Sequence, residues 1–241
     1  MKLFSLYTQS HEVLKNDWFL KTLPADLEPH LTKAVQQNFD NGDFRSATWM
    51  SVASEKLNFL SEQISKHQRE TIAWMDVDIQ FFKPVHDLLT ASVENADIAF
   101  QTDRPGSHIN GGVIVIRCNS RTRSFFEAAA KKNMFWHWTG DQGLMERQLK
   151  ESVKQGLRWN LLPQSVFAPS QILFKNVSSV IKTTIFPEQA LRDCIPQIPK
   201  DIVLHHANVT PAFGKMSSVD QKIRQMKLVR HWLTGSETPQ G

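Results

Sequence analysis

The sequence predicts an α/β fold with a mostly parallel sheet, and three observations carry that reading. Short segments rich in β-branched and aromatic residues alternate along the chain with longer stretches of helical period. One of them, Val113-Ile114-Val115-Ile116, is apolar without interruption, as a strand covered on both faces should be. The third is size: 241 residues, 41% of them hydrophobic, with no internal repeat or Gly/Ser linker, suffice for one sizeable core. We expect a single domain over residues 1–235 and a flexible tail over 236–241.

The elements follow in order. Lys2–Thr8 reads as the opening strand. Ser46–His67 places Trp49, Val52, Ala53, Leu57, Leu60 and Ile64 close to helical spacing. Thr71–Met75 is a short apolar run that stops at Asp76. Ile98–Thr102 and Gly112–Cys118 read as further strands, and Ser120–Lys132 as a helix with Asn119 or Ser120 as its N-cap. A second helix is expected over Gln142–Lys154, short strands over Arg158–Leu162 and Asp201–His206, and a terminal helix over Ser217–Leu233.

Composition removes several function classes. Lys and Arg number 28 against 24 Asp and Glu, a net charge of +4 spread along the chain. A nucleic-acid binder concentrates its basic residues in a stripe, so nucleic acid is not an expected partner. Two cysteines, Cys118 and Cys194, are too few for a disulfide scaffold and read as reduced thiols, with one disulfide as the alternative. No window approaches the roughly 18 apolar residues of a spanning helix, and Leu3–Tyr7 is shorter than a secretory apolar core. A cytoplasmic protein is the expectation. The terminal helix carries an apolar stripe of Ile223, Met226, Val229 and Leu233 beside Lys222, Arg224, Lys227 and Arg230. Such a helix packs on its own domain with its basic residues solvated, or lies peripherally on the inner, anionic face of a membrane.

In open α/β sheets ligands gather beyond the carboxyl ends of strands, which selects the places where an apolar run meets polar residues. Ile72-Ala73-Trp74-Met75 runs into Asp76-Val77-Asp78. Carboxylates at i and i+2 of an extended segment project to one side, with Cα atoms about 7 Å apart. They can cradle a hard divalent cation that also binds phosphate oxygens; a turn or helix cap is the alternative. Asn110-Gly111-Gly112 leads into the strand of β-branched residues. The glycines there permit close backbone approach or positive φ, Asn110 can bond hydroxyl groups, and a plain β-turn is the alternative. Gly140-Asp141-Gln142-Gly143 opens a helix, where Asp141 is a candidate N-cap or a site carboxylate. Last, Leu204-His205-His206-Ala207-Asn208 ends a strand in imidazoles that can ligate a metal, with a purely structural histidine pair as the alternative, and Lys215 follows as a candidate diphosphate contact.

These four segments in this order resemble the GT-A class of glycosyltransferases, in particular nucleotide-diphospho-sugar transferases with an Asp-X-Asp motif. The resemblance runs from about residue 71 to 215, and takes in most of the chain once Lys2–Thr8 is counted as the first strand. It implies a GT-A-like, Rossmann-like single domain whose mostly parallel mixed sheet is flanked by helices. It also implies a hexosyltransferase-like enzyme moving a sugar from a nucleotide-diphosphate donor, a UDP-sugar by preference, to an unidentified glycan, lipid-linked, protein or small-molecule acceptor, with retention. By the same implication Asp76, Asp78 and His206 hold Mn²⁺ or Mg²⁺, and Asp76 also lies near the donor. Tyr7 and Thr8 meet the nucleotide, and Asn110 and Gly111 the donor sugar. Asp141 and Gln142 stand beside the anomeric carbon, and Lys56, Asp103 and Lys215 are further sugar or phosphate contacts. The spacing from His206 to Lys215 is longer than in one related family. The acceptor would be gripped by the loops Trp136–Gly140 and Leu162–Gln171.

Two rival readings use the same residues. A haloacid-dehalogenase-type phosphohydrolase also begins with Asp-X-Asp, but it expects Thr or Val where this chain has Gln80, and a later acidic pair that is not found. A non-catalytic sugar-nucleotide-binding protein would keep the pocket without turnover.

Overall fold

A computed structural model describes residues 1–34, 47–103, 108–132, 140–174, 187–208, 210 and 217–239. Numbered along the chain, the strands are β1 (Lys2–Tyr7), β2 (Glu28–Lys33), β3 (Thr71–Met75), β4 (Ile79–Phe81), β5 (Ile98–Thr102), β6 (Ile109–Arg117), β7 (Trp159–Leu161), β8 (Val166–Phe167) and β9 (Leu204–His206). The longer helices are α1 (Ala47–Lys66), α2 (His86–Ser92), α3 (Ser120–Ala130), α4 (Gly140–Lys154), α5 (Pro187–Cys194) and α6 (Ser218–Thr234).

The main sheet has the order β2-β1-β3-β6-β5-β7. Every neighbour pair that excludes β6 is parallel, and β6 alone runs against its neighbours. Both faces are covered, which is why the central strands carry no polar face. Ile72, Trp74, Ile114 and Ile116 face one apolar layer with Leu57, Leu60 and Ile64 of α1. Ala73, Met75, Val113 and Val115 alternate with them into a second layer with Phe19, Phe81 and Leu89. Helix α1 packs against α3 and α4. Local chemistry sets the ends: Asn119 caps α3 reciprocally with Thr122, Ser217 caps α6 with Asp220, and Gly235 at φ 77° closes α6.

A second, three-stranded sheet has the order β4-β9-β8. Its register decides where the site forms: antiparallel pairing sets Ile79 opposite His206 and Phe81 opposite Leu204. The end of β9 is thereby delivered next to the residues that follow β3.

Several sequence expectations shift. Strand β6 begins at Ile109, three residues before the expected Gly112, because the β5–β6 register slips between Phe100 and Gln101 and then pairs Gln101 with Asn110. Asn110-Gly111-Gly112 is therefore inside a strand rather than in a turn. Strand β2 is polar and mostly exposed, with Pro29 on the sheet edge, and gives no apolar pattern to read. The stretch Asp201–His206 contracts to β9, and residues Val166–Ser170, in a segment expected as an acceptor loop, are buried. Residues 136–139 of the other expected loop lie outside the described ones.

The apolar stripe of α6 is used within the domain. Met226 and Val229 are buried, Ile223 packs beside Leu14, Trp18 and Ala207, and Leu233 joins the cluster around Phe167 and Cys194. Among the described residues no helix is long and apolar enough to cross a membrane. Cys118 and Cys194 are both buried and carry no disulfide, so the disulfide alternative does not form. Burial, with Glu70 adding, pushes the Cys118 thiol up to about 12, so it is not a reactive thiolate.

Candidate active site

The chain leaves β3 at Met75 and passes through Asp76-Val77-Asp78 into β4. Val77 is buried, and backbone bonds pin both aspartates: Asp76 N–H donates to Gly112 O (2.9 Å) and Ala207 N–H to Asp78 O (2.8 Å). With the β4–β9 register this brings Asp76, Asp78 and His206 together, their ligand atoms all within 4.8 Å of one another. His206 Nε2 lies 3.4 Å from Asp78 Oδ1. That oxygen is buried and has no hydrogen bond among the described residues.

Two histidines end β9 and face opposite environments. His206 meets Gln101 Oε1 through Nδ1 at 2.8 Å. His205 lies between Gln80 and Gln225, 3.1 Å from each, with its ring stacked on Phe167. Burial, with His206 adding, lowers the His205 pKa to about 3, so it stays a neutral interior imidazole.

Lys56 is the hub of the other half of the site. Buried on α1, its ammonium reaches Asp141 Oδ2 at 2.8 Å, Asp76 Oδ1 at 3.3 Å and Gly111 O at 2.7 Å, and stands 4.8 Å from the Trp74 ring centroid. Burial disfavours the ammonium, but Asp141 and Asp76 outweigh it and raise the pKa. Trp74 Nε1–H also donates to Asp76 Oδ1 at 2.8 Å. For Asp76, burial raises the pKa with Asp78 and Asp141 adding, while Lys56 and His206 oppose. Its side chain keeps 36% exposure, so solvent screens part of that effect.

Lys222 of α6 contacts Asp78 Oδ2. Burial pushes the Asp78 carboxyl up, but Lys222 and His206 prevail and hold it well below the usual carboxylate range. This differs from the expectation of a solvated helix face: the Lys222 side chain is only 15% exposed. Neither Lys222 nor Gln101 was singled out from sequence. A glutamine within Ile98-Ala99-Phe100-Gln101 was the available signal for Gln101, whereas Lys222 looks like any basic residue on an amphipathic helix.

The remaining candidates fall around this centre. Asn110 is buried and internally satisfied, its Nδ2 donating to Asp103 Oδ1 at 3.2 Å while its Oδ1 accepts from Gly112 N–H at 2.7 Å. Gly111 and Gly112 have no positive φ; what they provide is room. A Cβ on Gly111 would meet Asp141 Oδ2 at 2.9 Å, and one on Gly112 would meet His206 Cε1 at 2.1 Å. Asp141 and Gln142 lie in the first turn of α4, Gln142 half-buried. Tyr7 ends β1 on the same sheet edge as Asp76, with Lys15 Nζ 4.0 Å above its ring, and Thr8 Oγ1 bonds Ser10 and His11. Lys215 lies outside the described residues.

A mostly parallel, helix-flanked sheet with an Asp-X-Asp segment at a strand end is the architecture of GT-A glycosyltransferases. Solved structures share the fold. A glycosyltransferase involved in glycosylation of the major capsid of PBCV-1 aligns with TM-score 0.55 and 12% identity, over 93% of this chain and 98% of that one. GlyE of Streptococcus pneumoniae TIGR4 gives 0.56 and 12%, over 98% and 64%. The galactosyltransferase LgtC, solved with donor and acceptor sugar analogues, gives 0.50 and 10%, over 95% of each chain. Comparison with curated proteins by sequence gives no match. The sequence profile of the nucleotide-diphospho-sugar transferases matches residues 19–191, well over half of the chain. The chain belongs to the nucleotide-diphospho-sugar transferase family and is a glycosyltransferase. That membership favours transfer over the phosphohydrolase and binding-only readings.

Proposed function

We propose that this glycosyltransferase is metal-dependent, holds Mn²⁺ or Mg²⁺ at Asp76, Asp78 and His206, and takes its sugar from a UDP-sugar with retention. The observation that carries the metal is Asp78 Oδ1, a buried carboxylate oxygen without a hydrogen bond among the described residues, beside His206 Nε2 and Asp76. Buried acceptors are normally satisfied, and two carboxylates with one imidazole suit a divalent cation of this hardness. When bound, the ion supplies Lewis-acid stabilisation of the diphosphate leaving group.

The chain's own residues divide the remaining work. Lys56 fixes Asp141 against Gly111, so a carboxylate is held rigidly where positive character would build on the anomeric carbon, with Gln142 next to it. Asn110, Asp103 and Gly111 line the donor-sugar side, and Tyr7 and Thr8 receive the nucleoside. Lys215 joins them as a diphosphate contact, and Lys222 is a second cation at the same carboxylate cluster. Since the α6 stripe packs inward, peripheral membrane contact through this helix would rest on charge, with Lys227 exposed, and would weaken at high salt.

Calorimetric titration of UDP with Mn²⁺ tests the reading. Wild type is expected to bind only with the metal present, and Asp78→Ala is expected to lose that binding while its thermal unfolding stays cooperative. Unchanged Mn²⁺-dependent binding in the variant, or sugar transfer undiminished in EDTA, overturns it.

A further inference from the structure

A polar side chain fully buried in a central strand needs a partner on every face, and Gln101 in β5 has one on each. Strand alternation puts its side chain on the side of Ala99, in the layer that also holds Val166, and the β5–β6 register slips just before it. Its amide then spans β8 and β9: Nε2–H donates to Val166 O at 3.2 Å, and Oε1 lies 2.8 Å from His206 Nδ1.

The orientation of that amide is not free. Val166 O is a backbone carbonyl and can only accept; it also accepts from Gln171 Nε2–H at 3.1 Å. Flipping Gln101 would set its oxygen against this carbonyl, so the nitrogen must face Val166 and the oxygen must face His206. An amide oxygen requires a hydrogen on Nδ1. In a neutral imidazole a proton on Nδ1 leaves Nε2 as a bare lone pair, and Nε2 is the atom turned toward Asp78. Placing the proton on Nε2 instead would oppose the Nδ1 lone pair to Gln101 Oε1 across 2.8 Å.

We infer that Gln101 is a positioning residue that holds His206 as its Nδ1–H tautomer and so presents the Nε2 lone pair to the space shared with Asp76 and Asp78. The inference rests on the metal-centre reading above. Partners of this kind orient ligating histidines and sharpen their basicity, and their loss typically weakens metal binding by about 10- to 100-fold.

Two measurements test it. In metal-free wild type, with the pH raised until the ¹⁵N shifts report a neutral ring, the spectrum of His206, assigned by its absence in His206→Gln, should show Nδ1 protonated and Nε2 bare. The opposite tautomer overturns the proposal without any change at Gln101. Calorimetry with Mn²⁺ alone should then show Gln101→Leu binding about 10- to 100-fold more weakly than wild type. Gln101→Glu should bind within a few-fold of wild type, because a carboxyl oxygen in the place of Oε1 still accepts from Nδ1–H. Equal affinity in wild type and Gln101→Leu, or equal loss in both variants with unfolding temperatures unchanged, overturns the role of Gln101. A wild-type chain that binds no Mn²⁺ overturns the metal centre instead, a separate failure.

Discussion

Gly112 carries no side chain, and the His206 imidazole occupies the space one would need. A methyl placed there falls 2.1 Å from Cε1 and 2.4 Å from Nδ1, closer than any real contact. Gly112→Ala should therefore displace the ring, weaken Mn²⁺ binding more than tenfold by calorimetry, and cost about 1–3 kcal/mol in unfolding free energy, as overpacking does. Unaltered Mn²⁺ affinity in that variant contradicts the account. Lys56 is the converse case, a buried cation whose removal strands Asp141 and leaves Asp76 with less compensation. Breaking a buried pair costs about 3–5 kcal/mol, and the partial exposure of Asp76 argues for the lower end. Urea unfolding of Lys56→Met should show that loss. In the sequence Asn110-Gly111-Gly112 stands out, yet the reason for its glycines does not: they make room for His206, 94 positions after Gly112, and for Lys56 and Asp141. No local pattern encodes such a meeting.

Elements with a strong period were legible. Helix α1, β3 and β5 fall within a residue or so of their expected bounds, because packing on both faces of the sheet leaves an unmistakable apolar pattern. The short strands β4 and β8 and the polar edge strand β2 were not, since two or three residues carry no period and an edge strand needs no apolar face. The anchoring of α3 shows chemistry at this scale. Asp97, almost fully buried before β5, accepts from Arg121, from Asn119 Nδ2–H and from Arg158 N–H. Burial pushes its carboxyl up, but these bonds prevail and lower its pKa. A carboxyl whose folded pKa is depressed stabilises the fold above the unfolded value of about 3.9, and that stability is lost as pH falls through the folded value. Asp97→Asn should be less stable than wild type at pH 7, and the difference should shrink in acid. Urea midpoints for both proteins at neutral and acid pH check this; a difference that grows on acidification is the contrary result.

At the scale of the whole molecule, the candidate centre lies on a seam between two sheets. Gln101, Asp76 and Gly112 belong to the main sheet or its end, whereas His206 belongs to the small one and Asp78 immediately precedes its strand β4. The sequence indicated both halves in the right order, but their meeting follows from a three-residue pairing too short to be read in advance. A metal and donor bound there would tie the sheets together and stabilise the fold by mass action, about 2.7 kcal/mol at a hundredfold excess over Kd. Thermal shift with UDP and Mn²⁺ should show that gain, and hydrogen exchange should show extra protection concentrated in β4 and β9 rather than spread evenly over the main sheet.

The brevity of the β4–β9 pairing has one more consequence. Three β4–β9 residue pairs and the Ala207–Asp78 backbone bond hold His206 beside Asp78, while α1 and the main sheet enclose an apolar layer to which β4, β8 and β9 contribute nothing. Opening the small pairing would scatter the candidate ligands while the layer beneath α1 stays packed. Heat or denaturant should therefore silence this enzyme before melting it.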